Sequence, residues 1–181
     1  MRLYRFSPIS SKEELIEAIK HIHIYSYILC KSSFGEYLEN SGNIGIFCHY
    51  EEEFTFLKSI REEITFSSEN PNQKYFELKS PIIIEKLGDI PEGIYTHIYI
   101  RKPDPYRHYV GDLDFYLDEE IYDNTKKFLL QGNKIKNARL FDRPDLDMIE
   151  LYNPDIDALA YVSTQKMTKI VRIKQSDITK L

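Results

Sequence analysis

The spacing of apolar and polar positions along the chain predicts the type of each element. After a short strand expected at residues 3–6, apolar residues recur at helical spacing over residues 15–29. Ser10 or Ser11 is suited to cap this helix, because a serine hydroxyl accepts a hydrogen bond from a free backbone N–H of the first turn. The pattern predicts a helix from residue 11 to about residue 30.

One stretch of this helix, HIHIYSYILC at residues 21–30, also alternates as a strand does. We prefer the helix, because the cap is favourable and no turn residue interrupts the run before Gly35. The choice decides the geometry of His21 and His23. On a strand their imidazoles would share one face, whereas on a helix they diverge by about 200°.

The rest of the chain divides into two similar halves, each a strand, a helix and three further strands. In both halves acidic residues begin the helix, which favours a helix N-terminus. The first half is expected to have strands at 42–49, 74–79, 81–86 and 94–102 and a helix from residue 51, and the second half strands at 111–118, 137–142, 146–152 and 157–162 and a helix at 119–131. A last strand is predicted at 169–174.

The two halves also superpose weakly in sequence. With an offset of 68 residues, Glu51, Glu52 and Lys58 fall on Glu119, Glu120 and Lys126. We therefore predict an α+β fold of two βαβββ modules that form one curled mixed sheet, with an N-terminal strand–helix extension. The chain is expected to be a single domain over 1–181, with the extension at 1–40, the modules at 42–101 and 110–163, and a basic strand and tail at 164–181.

The composition agrees with a strand-rich fold. There are 24 Ile, 14 Tyr and 10 Phe residues, but only four Ala and no Trp. β-branched and aromatic residues favour strands, and few alanines argue against a helical bundle. With 42% hydrophobic and 29% charged residues among 181, the chain is neither disordered nor fibrous.

Charge and cysteine usage limit the environment and the partners. The net charge of −5 disfavours a nucleic-acid or membrane-surface binder, which is usually basic. Residues 164–181 nevertheless carry a net charge of +4, against −9 for the rest of the chain. We interpret this segment as a solvated tail, and a docking strip for an acidic partner is the alternative. Two cysteines without CxxC spacing, no signal-peptide pattern and no long apolar run predict a cytoplasmic protein without a membrane span.

The second half carries a family resemblance. The sequences GDLDFYLDEE and FDRP…DMIELYNPDIDALAYV, on either side of a helix that ends at a glycine, are similar to a module of the vicinal-oxygen-chelate superfamily. That superfamily includes glyoxalase I, extradiol dioxygenases and bleomycin-resistance proteins. The turn NPDI at residues 153–156 lacks the glycine of the family's Asp-Pro-Asp-Gly turn. The resemblance covers residues 42–101 and 110–163.

The resemblance implies an open, curled, eight-stranded sheet around a cavity, in which catalytic members hold a divalent metal. The implied ligands, typically His and Glu, lie on the first and fourth strands of each module. The matching positions are Asn43 or Gly45, His97 or Tyr99, Asp112 or Asp114, and Ala160 or Tyr161. Because the family's ligand pattern is not preserved, no cofactor is favoured. A divalent metal is the alternative, with His97 and Asp114 as weak candidate ligands.

The densest run of polar and aromatic residues, THIYIRKPDPYRHYVGD at 96–112, is the candidate binding site. Arg offers a bidentate fork and Tyr a stacking face, so the run suits an anionic or aromatic small molecule. The alternative is a stiff linker in which Arg107 pairs with Asp104 or Asp112. The predicted ligand-binding residues are His97, Tyr99, Arg101, Tyr106, Arg107, His108, Asp112 and Asp114.

Three other clusters have structural interpretations that we prefer. His21 and His23 form a metal site only if their segment is a strand. Cys48 and His49 would point to opposite faces of a strand, which favours a buried, inert thiol over a nucleophile–base pair. The aspartates of FDRPDLD at 141–147 are expected in a solvated hairpin with a local Arg–Asp pair.

The sequence thus predicts a small-molecule-binding or sequestering protein of the glyoxalase and bleomycin-resistance type, without catalysis. A protein–protein interaction or regulatory module without a ligand cleft is the first alternative. A divalent-metal-dependent lyase or dioxygenase is the second. A homodimer is compatible with each of these, and the sequence identifies neither the ligand nor a protein partner.

Overall fold

The structure, a computed structural model, describes residues 4–143 and 146–173, without the side chains of residues 142 and 143. Within these ranges the chain forms four helices and seven strands. In chain order they are α1 (Lys12–Phe34), β1 (Glu39–Phe47), α2 (Glu51–Ile64), β2 (Phe76–Ile84), β3 (Gly93–Arg101), β4 (Gly111–Leu117), α3 (Glu119–Leu130), β5 (Ala138–Arg143), β6 (Leu146–Leu151), β7 (Ala158–Thr164) and α4 (Gln165–Ile170). None of the helices in these ranges is both long and apolar enough to cross a bilayer.

The strands form one open, mixed sheet in the order β2-β3-β1-β4-β7-β6-β5. β1 and β4 are antiparallel neighbours at its centre. Each of them also runs parallel to the last strand of its own half, β1 to β3 and β4 to β7. The predicted α+β class, with two strand–helix–strand halves in one mixed sheet, is confirmed.

The first half has two strands after its helix rather than three. The segments 74–79 and 81–86, predicted as separate strands, lie largely within the single strand β2, whose register with β3 shifts between Glu77 and Ile82. Pro81 falls within this shift, at an edge of the sheet where its missing N–H costs no ladder hydrogen bond. The chain therefore bends at this point without turning back, and the sheet has seven strands where the resemblance implies eight.

The prediction of a helix at 11–30 is confirmed by α1, which settles residues 21–30 as helical. The Ser11 hydroxyl accepts a hydrogen bond from the Glu14 backbone N–H at 3.1 Å, and Gly35 ends the helix at φ +78°. The predicted strand at 3–6 is not formed by residues 4–6, and residue 3 lies outside the described residues. Tyr4 is instead held by its side chain, which stacks on His49 at 3.8 Å.

The predicted strand at 169–174 is wrong, because residues 165–170 form α4. Thr164 caps this helix, since its hydroxyl accepts a hydrogen bond from the Met167 backbone N–H at 3.2 Å. Only a single bridge, between Ile173 and Gln73, follows it in the described residues. The basic residues Lys174 and Lys180 lie outside them.

The two faces of the sheet have different coverings. Apolar residues of alternate positions, such as Ile44, Ile98 and Leu113, pack in one core with α1, α2 and α3. The opposite face carries the remaining alternate positions and is partly covered by α4 and by residues 73–75. This second face positions the candidate site.

Candidate functional site

On the face opposite the three long helices, the sheet and two covering segments border a partly open cavity of about 230 Å³. The covering segments are joined by hydrogen bonds from the backbone N–H groups of Lys74 and Tyr75 to the Arg172 carbonyl oxygen, at 2.8 and 2.9 Å. The cavity is lined by Phe47, Lys74, Tyr75, Tyr99, Arg101, Arg107, Asp112, Asp114, Phe141, Leu146, Met148, Tyr161 and Val171.

The strand register orders this lining along the sheet. Arg101 pairs with Phe47, and the next row carries Tyr99, Gly45 and Asp112. The row after that pairs Asp114 with Tyr161, and the last pairs Met148 with Phe141. The cavity therefore runs from a cationic end, past two aspartates, to an apolar end.

The two aspartates reach the cavity because β4 alternates strictly. In the sequence DLDF, Leu113 and Phe115 enter the helix-covered core, so Asp112 and Asp114 both point to the opposite face. Their exposed fractions are only 5% and 2%. Buried carboxylates without a paired cation are rare in folded proteins, which makes this pair the most unusual feature of the sheet.

Asp112 has an unsatisfied oxygen. Its Oδ1 atom is buried and has no hydrogen-bond partner among the described residues. The oxygen lies over Gly45 of β1, where an added Cβ would stand only 1.9 Å from it. Burial raises the pKa of Asp112, and the positive charges of Lys74 and Arg101 counteract part of this increase.

Asp114 is held by a network that closes one side of the cavity. The Asn43 Nδ2 group donates to Asp114 Oδ2 at 2.9 Å and to the Thr168 carbonyl oxygen at 2.8 Å. The Asn43 carbonyl oxygen accepts from Arg172 Nε at 2.9 Å. Burial and the negative charge of Asp112 raise the pKa of Asp114 to about 7, so this carboxyl is partly protonated near neutral pH.

The cationic end has more positive than negative groups. The Arg101 guanidinium lies over the Phe47 ring at 3.7 Å and has one nitrogen 3.5 Å from Asp104 Oδ2. Arg107 Nε is 3.4 Å from the same carboxylate oxygen. One carboxylate thus faces two guanidinium groups. The Lys74 ammonium lies over the Tyr99 ring at 4.9 Å, and no carboxylate of the described residues pairs with it.

Aromatic rings form the walls. The rings of Tyr75 and Tyr99 are 5.4 Å apart, and those of Phe141 and Tyr161 are 5.6 Å apart. The Tyr161 hydroxyl donates to Glu150 Oε1 at 3.2 Å. Burial and the charge of Asp112 raise the pKa of both Tyr75 and Tyr161, so these side chains act as neutral, polarisable walls.

The structure brings five of the eight predicted site residues to this cavity, and three lie outside it. His97 is on the same sheet face and pairs in register with Asn43, but neither residue lines the cavity, and His97 Nδ1 is 2.9 Å from Thr96 Oγ1. Tyr106 is 96% exposed, and His108 is an exposed residue whose ring lies against Tyr109. The residues that line the cavity are Tyr99, Arg101, Arg107, Asp112 and Asp114.

Several lining residues were not predicted from the sequence. Lys74, Tyr75 and Val171 come from segments that cover the sheet, and Leu146 and Met148 from the hairpin of β5 and β6. No local pattern marks a covering segment, because its position depends on how distant parts of the chain pack. Tyr161 was considered only as a fourth-strand position of the resemblance.

The other clusters have structural roles in the described residues. The helical His21 and His23 separate: His21 Nε2 is 2.5 Å from Asp157 Oδ1, while His23 Nδ1 is 2.6 Å from the Tyr95 hydroxyl in the core. Burial raises the pKa of the Cys48 thiol, which fits an inert thiol. Within the hairpin, Asp147 accepts from Lys126 Nζ at 2.7 Å; the other aspartates and Arg143 have no described side chains.

The residues at the metal positions implied by the resemblance do not fit a divalent ion. Gly45 has no ligating side chain, and Ala160 packs in the core. Both ends of the Asn43 amide are already hydrogen-bonded, and the positive charge of Arg172 acts on His97. Within residues 4–143 and 146–173 no three His, Cys, Asp or Glu side chains gather closely enough to hold a metal. We therefore derive no chemistry through a metal.

Two larger depressions lie elsewhere on the molecule. One, of about 570 Å³, lies between α4 and the start of α3, and the other, of about 440 Å³, borders the start of β1. The charged residues that line them, such as Lys166 and Glu92, are exposed to solvent. Neither depression has the buried, unpaired charge that distinguishes the smaller cavity.

No known family model matches the sequence, and no curated protein is similar to it at a significant level. Among solved structures, a structural-genomics protein, EC4020, is 13% identical with a TM-score of 0.57 and covers 94% of this chain and 97% of its own. This likeness shows the fold alone.

Partial overlaps with methylmalonyl-CoA epimerase, a vicinal-oxygen-chelate protein, are also found. A variant from Streptomyces coelicolor in complex with 2-nitronate-propionyl-CoA is 15% identical, with a TM-score of 0.32, and covers 70% of this chain and 98% of its own. The enzyme in complex with methylmalonyl-CoA and ammonium is 14% identical, with a TM-score of 0.30, and covers 70% and 95%.

Proposed function

We propose that this protein binds a small molecule in the cavity between Arg101 and Met148 and acts as a binding or sequestering protein. The observation that carries the proposal is the Asp112 carboxylate, which is 5% exposed, lines the cavity and has one oxygen without a hydrogen-bond partner among the described residues. An unsatisfied buried polar group costs about 1–3 kcal/mol, and more when it is charged. Unsatisfied buried polar groups are rare in folded proteins, and one that lines a cavity beside shifted titratable groups is a candidate for ligand binding.

The shape and lining of the cavity support this function. Ligand cavities are mostly apolar and aromatic, with a few polar groups that orient the ligand. Here Tyr75, Tyr99 and Phe141 supply the rings, and Asp112 and Arg101 the orienting groups. The volume of about 230 Å³ lies below the usual range for drug-sized ligands, which favours a compact molecule.

The fold supports assigning the protein to the non-catalytic, ligand-binding type of the vicinal-oxygen-chelate superfamily. Two halves share one open sheet, and the cavity lies on the face that the long helices leave free. The side chains at the implied metal positions favour this type over a metal-dependent lyase or dioxygenase, since Asn43 is already committed to Asp114 and Arg172.

The test is a ligand-detected NMR screen of the purified chain against a defined panel of organic acids, amino acids, amines and sugars. We expect at least one compound to give a saturation-transfer signal that disappears in the Leu146→Trp variant, which fills the cavity from its apolar end. Ile83→Trp, at an exposed position of β2, is the matched control and should keep the signal. A silent panel, or a signal equally strong in Leu146→Trp, would overturn the proposal and leave the interaction module as the better account.

A further inference from the structure

The order of the groups along the cavity identifies a ligand class. We propose that the cavity takes a small apolar carboxylic acid with a hydroxyl or amino group on the carbon next to the carboxylate. This inference rests on the proposed function and deepens it. Three zones of the cavity support it: the Arg101 end, the Asp112 oxygen, and the apolar end at Met148.

The cationic end suits the carboxylate. Arg101 and Arg107 share the carboxylate of Asp104, at 3.5 and 3.4 Å, and no second carboxylate of the described residues forms an ion pair with either guanidinium. The Arg101 side chain is 18% exposed, and Phe47 covers the face of its guanidinium. A guanidinium held flat in this way offers its edge to a carboxylate in two parallel hydrogen bonds. Lys74, on the segment that covers the sheet at residues 73–75, adds a third positive charge.

The next zone requires a hydrogen-bond donor. Asp112 Oδ1 lies over Gly45, two residues along β1 from Phe47, and the Arg101 guanidinium lies over the Phe47 ring. This oxygen has no hydrogen-bond partner among the described residues and can only accept while the carboxyl is ionised. A plain carboxylate ligand would bring a second negative charge to this oxygen and leave it unsatisfied. A hydroxyl or amino group next to the carboxylate satisfies it, because the two ligand groups are then only one carbon apart.

The far zone receives the apolar body. Met148, Phe141, Leu146 and Tyr161 line this end, and Met148 is 5% exposed. An apolar group of the ligand that is buried at this end is stabilised by leaving water and needs no polar partner. A cavity of about 230 Å³ accommodates one ring or a branched aliphatic chain together with the polar head.

Titration calorimetry with four matched probes tests this class: phenyllactate, phenylalanine, 3-phenylpropanoate and 2-phenylethanol, the first two as both enantiomers. Phenylpropanoate lacks the donor, and phenylethanol lacks the carboxylate. We expect phenyllactate or phenylalanine to bind about tenfold tighter than either truncated probe, because a site built to hydrogen-bond a group rejects the analogue without it. The better of the two identifies the donor as hydroxyl or amine.

Two variants locate the preference. In Asp112→Asn, and in Asp112→Ala as a second substitution, the advantage over phenylpropanoate should fall to about threefold or less, because the acceptor is altered or removed. In Arg101→Gln the advantage over phenylethanol should shrink in the same way. Lys166→Gln, at an exposed lysine that does not line the cavity, should change neither ratio.

The outcomes separate the two proposals. Equal binding of phenylpropanoate, or a preference that survives in both Asp112 variants, overturns the ligand class. If none of the four probes binds while the NMR screen finds cavity ligands of another class, this inference is wrong and the proposed function stands. If both the probes and the screen are silent, both proposals are overturned.

Discussion

Asp112 and Gly45 illustrate how one residue shapes the site. The Asp112 carboxylate occupies the space where any other residue at position 45 would carry its Cβ. A glycine at this place in β1 therefore lets two central strands approach while one of them presents a charged side chain. Close approach, rather than an unusual backbone angle, explains this glycine.

The Gly45→Ala variant should destabilise the protein by about 1–3 kcal/mol, since overpacking forces the carboxylate out of its place. Urea unfolding measures the loss. The double variant Gly45→Ala/Asp112→Ala provides the control, because most of the penalty should disappear once the carboxylate is removed. A penalty that is the same in both backgrounds would show that the Asp112 oxygen is not what the new Cβ meets.

Asp114 predicts a pH dependence of stability. Its folded-state pKa of about 7 lies above the unfolded value of about 3.9, so the folded state holds the proton more tightly. The contribution of Asp114 to the stability of the folded state is complete below about pH 4 and is lost as the pH rises through about 7. Asp114→Asn, which cannot ionise, should therefore gain about 1 kcal/mol or more over wild type on going from pH 5 to pH 8. A constant difference between the two proteins over this range contradicts the assignment.

At the residue scale the sequence predicted which face of the sheet a side chain lies on better than it predicted which residues contact that side chain. Alternation in DLDF places Asp112 and Asp114 on one face, and the structure agrees. Tyr106 and His108 were included because they follow a polar strand, yet in the loop they turn to solvent. Lys74 and Tyr75 were missed, because the contact of their segment with Arg172 spans about a hundred residues of sequence.

The long helix α1 contributes many of the buried side chains in the core between the sheet and the helices. It packs mainly against β7 and β4, and its buried side includes Ile19, Ile22 and Leu29. Helical period and capping together identified it, in spite of the strand-like alternation at residues 21–30. α4 was missed for the opposite reason: KIVRIK alternates like a strand, but Thr164 caps a helix that begins before it.

Two isoleucines of α1 offer a matched test of this packing. Ile22 is fully buried, so Ile22→Ala should cost about 2–5 kcal/mol of unfolding free energy through lost burial and a cavity. Ile16 is 42% exposed, so Ile16→Ala in the same helix should cost far less. Chemical denaturation monitored by circular dichroism checks both. Equal costs would mean that α1 does not present this face to the sheet.

At the scale of the whole molecule, Asp157 ties three distant parts of the chain together. Its carboxylate accepts from Arg5 Nε at 2.7 Å, and its other oxygen is 2.5 Å from His21 Nε2. Burial raises the pKa of Asp157, but the hydrogen bonds to His21 and Arg5 outweigh burial, and together with the charges of these two residues they lower the pKa to about 2. The group therefore links the N-terminal segment and α1 to the turn before β7.

The sign of the Asp157 effect is opposite to that of Asp114. Because the folded pKa is below the unfolded value, its contribution is present above about pH 4 and is lost as the pH falls towards 2. We expect Asp157→Asn to be about 1 kcal/mol less stable than wild type at neutral pH, since the site is partly solvated. The difference should narrow between about pH 4 and pH 3 in urea titrations. A gap that stays unchanged as the solution is acidified would contradict the low pKa.

The overall plan was largely predictable, because two similar strand–helix blocks require a shared sheet to bury their apolar faces. The strands predicted at 74–79 and 81–86 were the exception, since a bent edge strand and two separate strands give the same residue pattern around Pro81. The ligand cavity proposed around Asp112, on the face opposite α1, α2 and α3, depends on packing that the sequence does not encode locally.

Crystallographic fragment screening of the full chain tests this claim most directly. The account predicts fragments in the cavity of about 230 Å³, with a donor group within hydrogen-bond distance of Asp112 Oδ1 and any acidic group at Arg101. Fragments that collect only in the two outer depressions, or on the exposed edge at Ile83, while the Asp112 cavity stays free of them, would contradict it.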